Sequence, residues 1–425
     1  MRRTSISVTL LSLLFLVSLT PIGWAASTDA ETLNELKRVI KQQQKMIEAQ
    51  TKALKSLEKK VDTLSAKTTS NAATQTPAKI VTSGQDKVSL ALSGHVNRGI
   101  LYYDDGNSSD ALHVDNDNSA TRFRLTGKAK VTEDFTIGTQ IEVQMKSNST
   151  GSVNQFSDNG VGGASFTERK LEVHLDSKQL GRLWIGQGST ASDGTAESDL
   201  SGTDVINYSG VADMAGGLFF QNDTPIVAGV NPRIGQVFSN LDGLGRDDRI
   251  RYDTPKLAGF TASTSHISGG GWDAALRYAA NYEKVGIKTV AAVGYADGSK
   301  IDRFEDQLAG SVSMLHRDGL NGSFATGTRS LEATDRDDVT FYYAKIGYIA
   351  NLTAFGKTAF SADYMQADDV AAAGDEATTY GVFGVQKLHD YGTEFYAGFR
   401  NHELDRPGAD FDDVQTVLAG TRVKF

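Results

Sequence analysis

The chain closes on VQTVLAGTRVKF, residues 414–425, a run in which Val417, Ala419, Thr421, Val423 and Phe425 share one face. Leu418, Gly420, Arg422 and Lys424 take the other, mostly polar face, so the period is two and the segment reads as a strand. A terminal strand left unpaired would be an exposed edge. The candidate partner is the strand beginning near Val88, and pairing the two would close a barrel.

The intervening chain supports closure. Arg122, Arg124, Thr126, Lys128 and Lys130 alternate with Phe123, Leu125, Gly127, Ala129 and Val131. The neighbouring run sets Ile137, Thr139, Ile141, Val143 and Met145 against Gly138, Gln140, Glu142, Gln144 and Lys146. Sixteen such strands can be placed between Val88 and Phe425. Long connections at 105–118, 147–164, 188–247, 367–377 and 405–413 alternate with tight ones at 132–134, 177–180, 255–259, 283–284, 318 and 389–391; only 268–271 is short where a long one is due. All long loops therefore leave one end, the pattern of an up-and-down transmembrane barrel. Tyr102, Tyr252, Phe260, Trp272, Tyr348, Tyr364, Phe395 and other aromatics fall near strand ends, where interfacial girdles sit. The expected fold is all-β: a 16-stranded antiparallel transmembrane β-barrel at 88–425, with an N-terminal α-helical coiled coil.

The N-terminal segments have other periods. Arg2 and Arg3, the apolar stretch 6–19 and Gly23-Trp24-Ala25 read as a secretory signal peptide over 1–25. Within 26–64 a heptad places Leu33, Ile40, Ile47, Leu54 and Val61 at a, and Leu36, Gln43, Gln50, Leu57 and Leu64 at d. That is a coiled-coil oligomerisation segment, roughly 48 Å long at about 1.5 Å per residue. Its two core glutamines fix register more than they add stability, and the heptads do not decide between dimer and trimer. Residues 65–87 read as a flexible linker.

Composition narrows the function. The chain has 43 Gly, 6 Pro and no Cys, so a secreted barrel would rest on backbone pairing rather than disulfides. Its net charge of −9 becomes −11 without Arg2 and Arg3, which argues against nucleic acid as partner. The oxygen-rich run 113–119 lacks the glycine and terminal glutamate of a calcium loop and reads as solvated outer loop. The seven histidines have no metal spacing, and no nucleophile elbow or phosphate loop occurs in its required context, so no metal, cofactor or enzyme activity is expected.

On these features residues 88–425 resemble Gram-negative trimeric porins. The terminal Phe425, with Val423 and Gly420 before it, resembles the barrel-assembly signal of that class, and 188–247 resembles its outsized third loop. A coiled coil ahead of the barrel resembles the DcaP-like porins and, more distantly, sucrose porins. The resemblance implies a homotrimer in outer-membrane lipid and lipopolysaccharide, with the third loop folded into each lumen as a constriction. An even strand number puts both barrel termini on the short-turn side, so the coiled coil would lie in the periplasm, where it could also meet the cell wall.

A sixteen-strand barrel is wide enough for water, and selectivity would come from width and lining charge. The inward basic candidates are Arg122, Arg124, Arg249, Arg251, Arg277 and Arg400. Lys128, Lys130, Arg422 and Lys424 read as a solvated rim. The constriction-loop acidic candidates are Asp193, Glu197, Asp199, Asp204, Asp213 and Asp223. Basic wall against acidic loop would set a transverse field. The expected function is passive diffusion of small hydrophilic solutes, leaning towards anions such as carboxylates. A channel specific for dicarboxylates or sugars remains open, although inward aromatics are few (Trp184, Phe341, Tyr343, Tyr396). A non-channel surface protein, an adhesin or outer-membrane enzyme, is the third reading.

Overall fold

The computed structural model describes residues 88–159, 165–222, 231–301, 304–332 and 336–425, together with Arg38, Lys41 and Gln44, which are helical. The signal peptide at 1–25, all ten coiled-coil core residues, the linker at 65–87 and Asp223 lie outside the described residues.

Seventeen strand segments form one sheet: β1 (Val88–Asp104), β2 (Ser109–Asp115), β3 (Arg122–Lys130), β4 (Phe135–Lys146), β5 (Ser165–Ser177), β6 (Gly181–Ser189), β7 (Arg246–Asp253), β8 (Phe260–Ile267), β9 (Trp272–Tyr282), β10 (Ile287–Asp297), β11 (Asp306–His316), β12 (Leu320–Ser330), β13 (Val339–Thr353), β14 (Gly356–Asp368), β15 (Glu376–Leu388), β16 (Thr393–Asp405) and β17 (Val414–Lys424). Each is antiparallel to its neighbours. The upper half of β1 pairs with β2 (Leu101↔Leu112) and its lower half with β3 (Leu92↔Leu125), so β2 and β3 are two halves of one stave. The result is a closed barrel of sixteen staves.

Closure is the pairing the terminal strand requires. β17 runs along β1 from His95↔Lys424 to Asp104↔Gln415. Phe425 extends the ladder, its N–H donating to Gly94 O at 3.0 Å while Gly94 N–H donates to Phe425 O at 3.0 Å. No sheet edge is left open there.

The second stave departs from expectation. The connection 105–118 is not a long loop: the Asp105 carboxylate accepts from the N–H groups of Asn107 (3.1 Å) and Ser108 (2.6 Å), closing a tight turn into β2. Nor is 113–119 a solvated outer loop. His113–Asp115 belong to β2, and Asp117–Ser119 form a 3₁₀ turn that interrupts the stave.

Outward residues are apolar and bare: Ile141, Leu171, Ile250, Leu276, Phe360 and Val382 are all exposed. Rings recur at matched levels near both rims, with Tyr364 opposite Tyr380 at one and Tyr348 opposite Phe360 at the other. This is the lipid-facing belt of a transmembrane barrel.

The interior is asymmetric. The long connection between β6 and β7 folds inside and packs Val205, Ile206, Met214, Leu218, Phe220, Ile234 and Leu241 against inward residues of the wall. Those wall residues include Leu101, Leu112, Phe341, Met365, Val385 and Leu418. One side of the lumen is thus filled by an apolar half-plug. The side bounded by β3, β4, β5 and the start of β7 stays polar.

Candidate functional site

The internal loop is fixed at several heights by wall side chains that satisfy its backbone. Asp273, fully buried, accepts from the N–H groups of Ala191 (3.2 Å) and Ser192 (2.8 Å). Ser311 and Ser313 hydroxyls accept from Ser198 N–H (2.9 Å) and Leu200 N–H (3.0 Å). Gln307 donates to Leu241 O at 2.6 Å. Lys345, whose side chain is 0 % exposed, pairs with Asp199 and donates to Asn207 O at 2.9 Å. Such a loop is a folded insert, since each bond it breaks would strand a buried polar group.

Between this insert and the polar wall lies a cavity of about 460 Å³. The wall contributes Arg122, Gln144, Lys146, Arg169 and Arg246, and the 3₁₀ break in the second stave contributes Asp117, Asn118 and Ser119. The insert contributes Asp193, Glu197, Asp199, Asp204, Tyr208, Asp213 and Asp242. Basic wall therefore meets acidic loop across one space.

The sequence-derived basic residues take different places around it. Arg122 lines the cavity. Arg124 lies just behind, sharing the buried carboxylate of Glu142 with Arg169 (Nε to Oε1 2.8 Å) and Arg122 (3.7 Å). Three guanidinium groups thus converge on one carboxylate. Arg249 is not a lining residue: it is 5 % exposed, paired with Glu172 and donating to Gly186 O at 2.7 Å. Arg251 binds Asp253 at 2.8 Å and Thr190 O at 2.7 Å, and Arg277 binds Asp193 O at 2.7 Å; both hold the root of the insert. Arg400 is 1 % exposed, bonded to Asp363 (2.7 Å) and Asn207 (3.1 Å) beneath the insert. Arg422, expected on a solvated rim, is buried between Glu394 and Ser119 Oγ. Phe341, Tyr343 and Tyr396 are buried, the first two under the insert, and form no aromatic track.

Among the acidic candidates, Asp193, Glu197, Asp199, Asp204 and Asp213 line the cavity. Asp193 is 3.5 Å from Arg246, and Asp199 is neutralised by Lys345. Among the described residues Glu197 and Asp213 accept hydrogen bonds from neutral donors, Asn240 Nδ2 at 3.0 Å and the Tyr208 hydroxyl. Burial inside the barrel, then the Asp193 carboxylate, push Glu197 up to about 7. Burial, then Asp117, push Asp213 up to about 6, although Tyr208, Lys146 and Arg169 act the other way. Asp242, which accepts from Gly194 N–H at 2.7 Å, is raised well above the carboxylate range by burial and by Glu197.

Lys146, Arg169, Arg246, Asp117 and Asp242 join the site without having been singled out in the sequence. Arg169 is the instructive case. β5 carries a bulge opposite Glu142/Val143, where Lys170 pairs with Glu142 and Glu168 with Val143. The extra residue between them is Arg169, which turns inward to bond Gln144 at 2.8 Å. Strict alternation from Lys170 and Glu172 would have turned it towards lipid. Lys146 was visible on the inward face of β4, and Asp242 lies in a charge-bearing stretch late in the same loop.

A family model for Gram-negative porins matches residues 63–407, most of the chain. The chain belongs to that family, and its barrel is an outer-membrane channel for small solutes. Among solved structures, the anion-selective porin from Comamonas acidovorans is 14 % identical, with a TM-score of 0.52 over 80 % of this chain and 100 % of that one. OmpT of Vibrio cholerae gives 11 % and 0.52 over 82 % and 100 %, and the outer membrane channel DcaP of Acinetobacter baumannii gives 12 % and 0.50 over 82 % and 100 %. At these identities the likeness is one of fold. No curated protein matches the sequence.

Proposed function

We propose that small hydrophilic solutes diffuse passively through the space between the acidic insert and the β3–β5 wall, in a homotrimer whose N-terminal heptads add a self-associating helix. The observation that carries this reading is the polar cavity of about 460 Å³ beside an otherwise filled lumen. Outer-membrane lipid and lipopolysaccharide surround the belt, and the barrel's narrow residual opening sets a size limit.

The anion preference suggested by the wall arginines is not what the whole lining favours. Seven carboxylates face four cations around the cavity. Lys146–Asp117 (2.9 Å) and Arg246–Asp193 are paired, and Lys345 offsets Asp199. Asp204 lies 3.9 Å from Arg422, so Glu197, Asp213 and Asp242 remain against Arg122 and Arg169, which share Glu142 with Arg124. That balance supports a mild cation preference once the raised carboxyl groups are ionised, on the alkaline side of about pH 7. Reconstitution in a planar bilayer under a salt gradient tests it: stepwise openings with a cation-leaning reversal potential are expected, and an anion-leaning one would overturn the charge argument.

The same carboxylates make the preference pH-dependent. With Glu197 raised to about 7 and Asp213 to about 6, both are protonated well below these values and charged above them. Cation preference should therefore grow as pH rises from about 5 to about 8. A reversal potential flat across that window would show that the two carboxyl groups titrate in the ordinary range.

A further inference from the structure

Resting on the channel reading, we propose that the constriction is a two-point subsite for zwitterionic solutes, the chemical class of free amino acids and short peptides. The carboxylate end would lie on Arg122 and Arg169, and the ammonium end on Glu197 and Asp213. Each half is incompletely satisfied by the protein itself. Arg122 and Arg169 share Glu142 with Arg124, so three guanidinium groups divide one carboxylate. Arg169, which lines the cavity, spends Nε on Glu142 and Nη1 on Gln144, which leaves Nη2 without a protein partner among the described residues. On the opposite side, among the described residues, Glu197 and Asp213 accept hydrogen bonds from the neutral groups Asn240 and Tyr208 and make no direct ion pair.

The two halves line a single polar cavity, one on the wall and one on the insert. Arg122, Arg169, Glu197 and Asp213 all line that one cavity of about 460 Å³. A solute carrying only an anion gains the arginines but is repelled by the insert, and one carrying only a cation meets the reverse. A solute with both charges gains at both ends and aligns across the pore, so its advantage over either is a product of two contacts.

The test measures block of the open-channel current of the full-length chain at pH 7.5. The probes are glycylglycine, its N-acetyl derivative (anion only) and its C-terminal amide (cation only). Glycylglycine is expected to block with a dissociation constant at least about tenfold below either analogue. Arg169→Gln and, independently, Asp213→Asn should each remove that advantage while conductance persists. Equal block by the N-acetyl derivative or by the amide would overturn the proposal, as would zwitterion block unchanged in both variants. A chain that conducts without this ranking fails the two-point subsite alone, whereas a chain that never conducts fails the channel reading as well.

Discussion

Replacing Lys345 with Met is expected to loosen the internal loop and produce larger, noisier single-channel currents. Lys345 is fully enclosed and its ammonium serves both Asp199 and Asn207 O. Removing it leaves the Asp199 carboxylate, at 8 % exposure, without its counter-charge. Breaking one partner out of such a pair typically costs about 3–5 kcal/mol, whereas replacing both costs much less. The double variant Lys345→Met with Asp199→Asn should accordingly recover most of the parental current amplitude. If the single variant conducts like the parent, the pair does not hold the insert.

The second large effect is expected at the seam. A side chain at Gly420 would place its Cβ 2.5 Å from Arg98 O and 2.4 Å from the Tyr396 hydroxyl oxygen. Arg98 O belongs to β1, which pairs with β17, so the clash cannot relax without parting the two strands that close the barrel. Gly420→Val should therefore sharply lower the folded fraction. Deleting Phe425 removes two ladder hydrogen bonds with Gly94 and should weaken closure by about 2 kcal/mol. Gel mobility before and after heating reads the folded fraction of each variant, and parental levels in both would exclude the seam as a determinant of assembly.

These effects also mark where the sequence was legible. Alternation with a bare apolar face exposed the staves, because a barrel wall separates lipid from water at every second residue. The seam followed from the same alternation, since an apolar-faced terminal strand needs a partner. The second stave was hidden by its Asp and Asn content, which belongs to turns by propensity, yet Asp105 and Asn116 use those side chains to fold the turn and the 3₁₀ break inside the wall. Arg169 was hidden by a bulge, which period-two reading cannot detect. The insert was read through its acids, and its apolar residues, which fill half the barrel, carried no periodicity to reveal their partners. Arg249 and Arg400 shared the inward parity of Arg122, but parity does not distinguish a lumen from the space beneath a folded loop.

The central claim is that water and solutes pass on the β3–β5 side of the insert and not beneath it. The chain contains no cysteine, so a single introduced thiol reports one place. Gln144→Cys lines the cavity, while Val385→Cys lies buried where the insert covers the wall. Single-channel current should fall in discrete steps when a membrane-impermeant thiol reagent is added to Gln144→Cys, and stay constant with Val385→Cys. Current steps at Val385→Cys with none at Gln144→Cys would place the path on the opposite side of the loop and contradict the account.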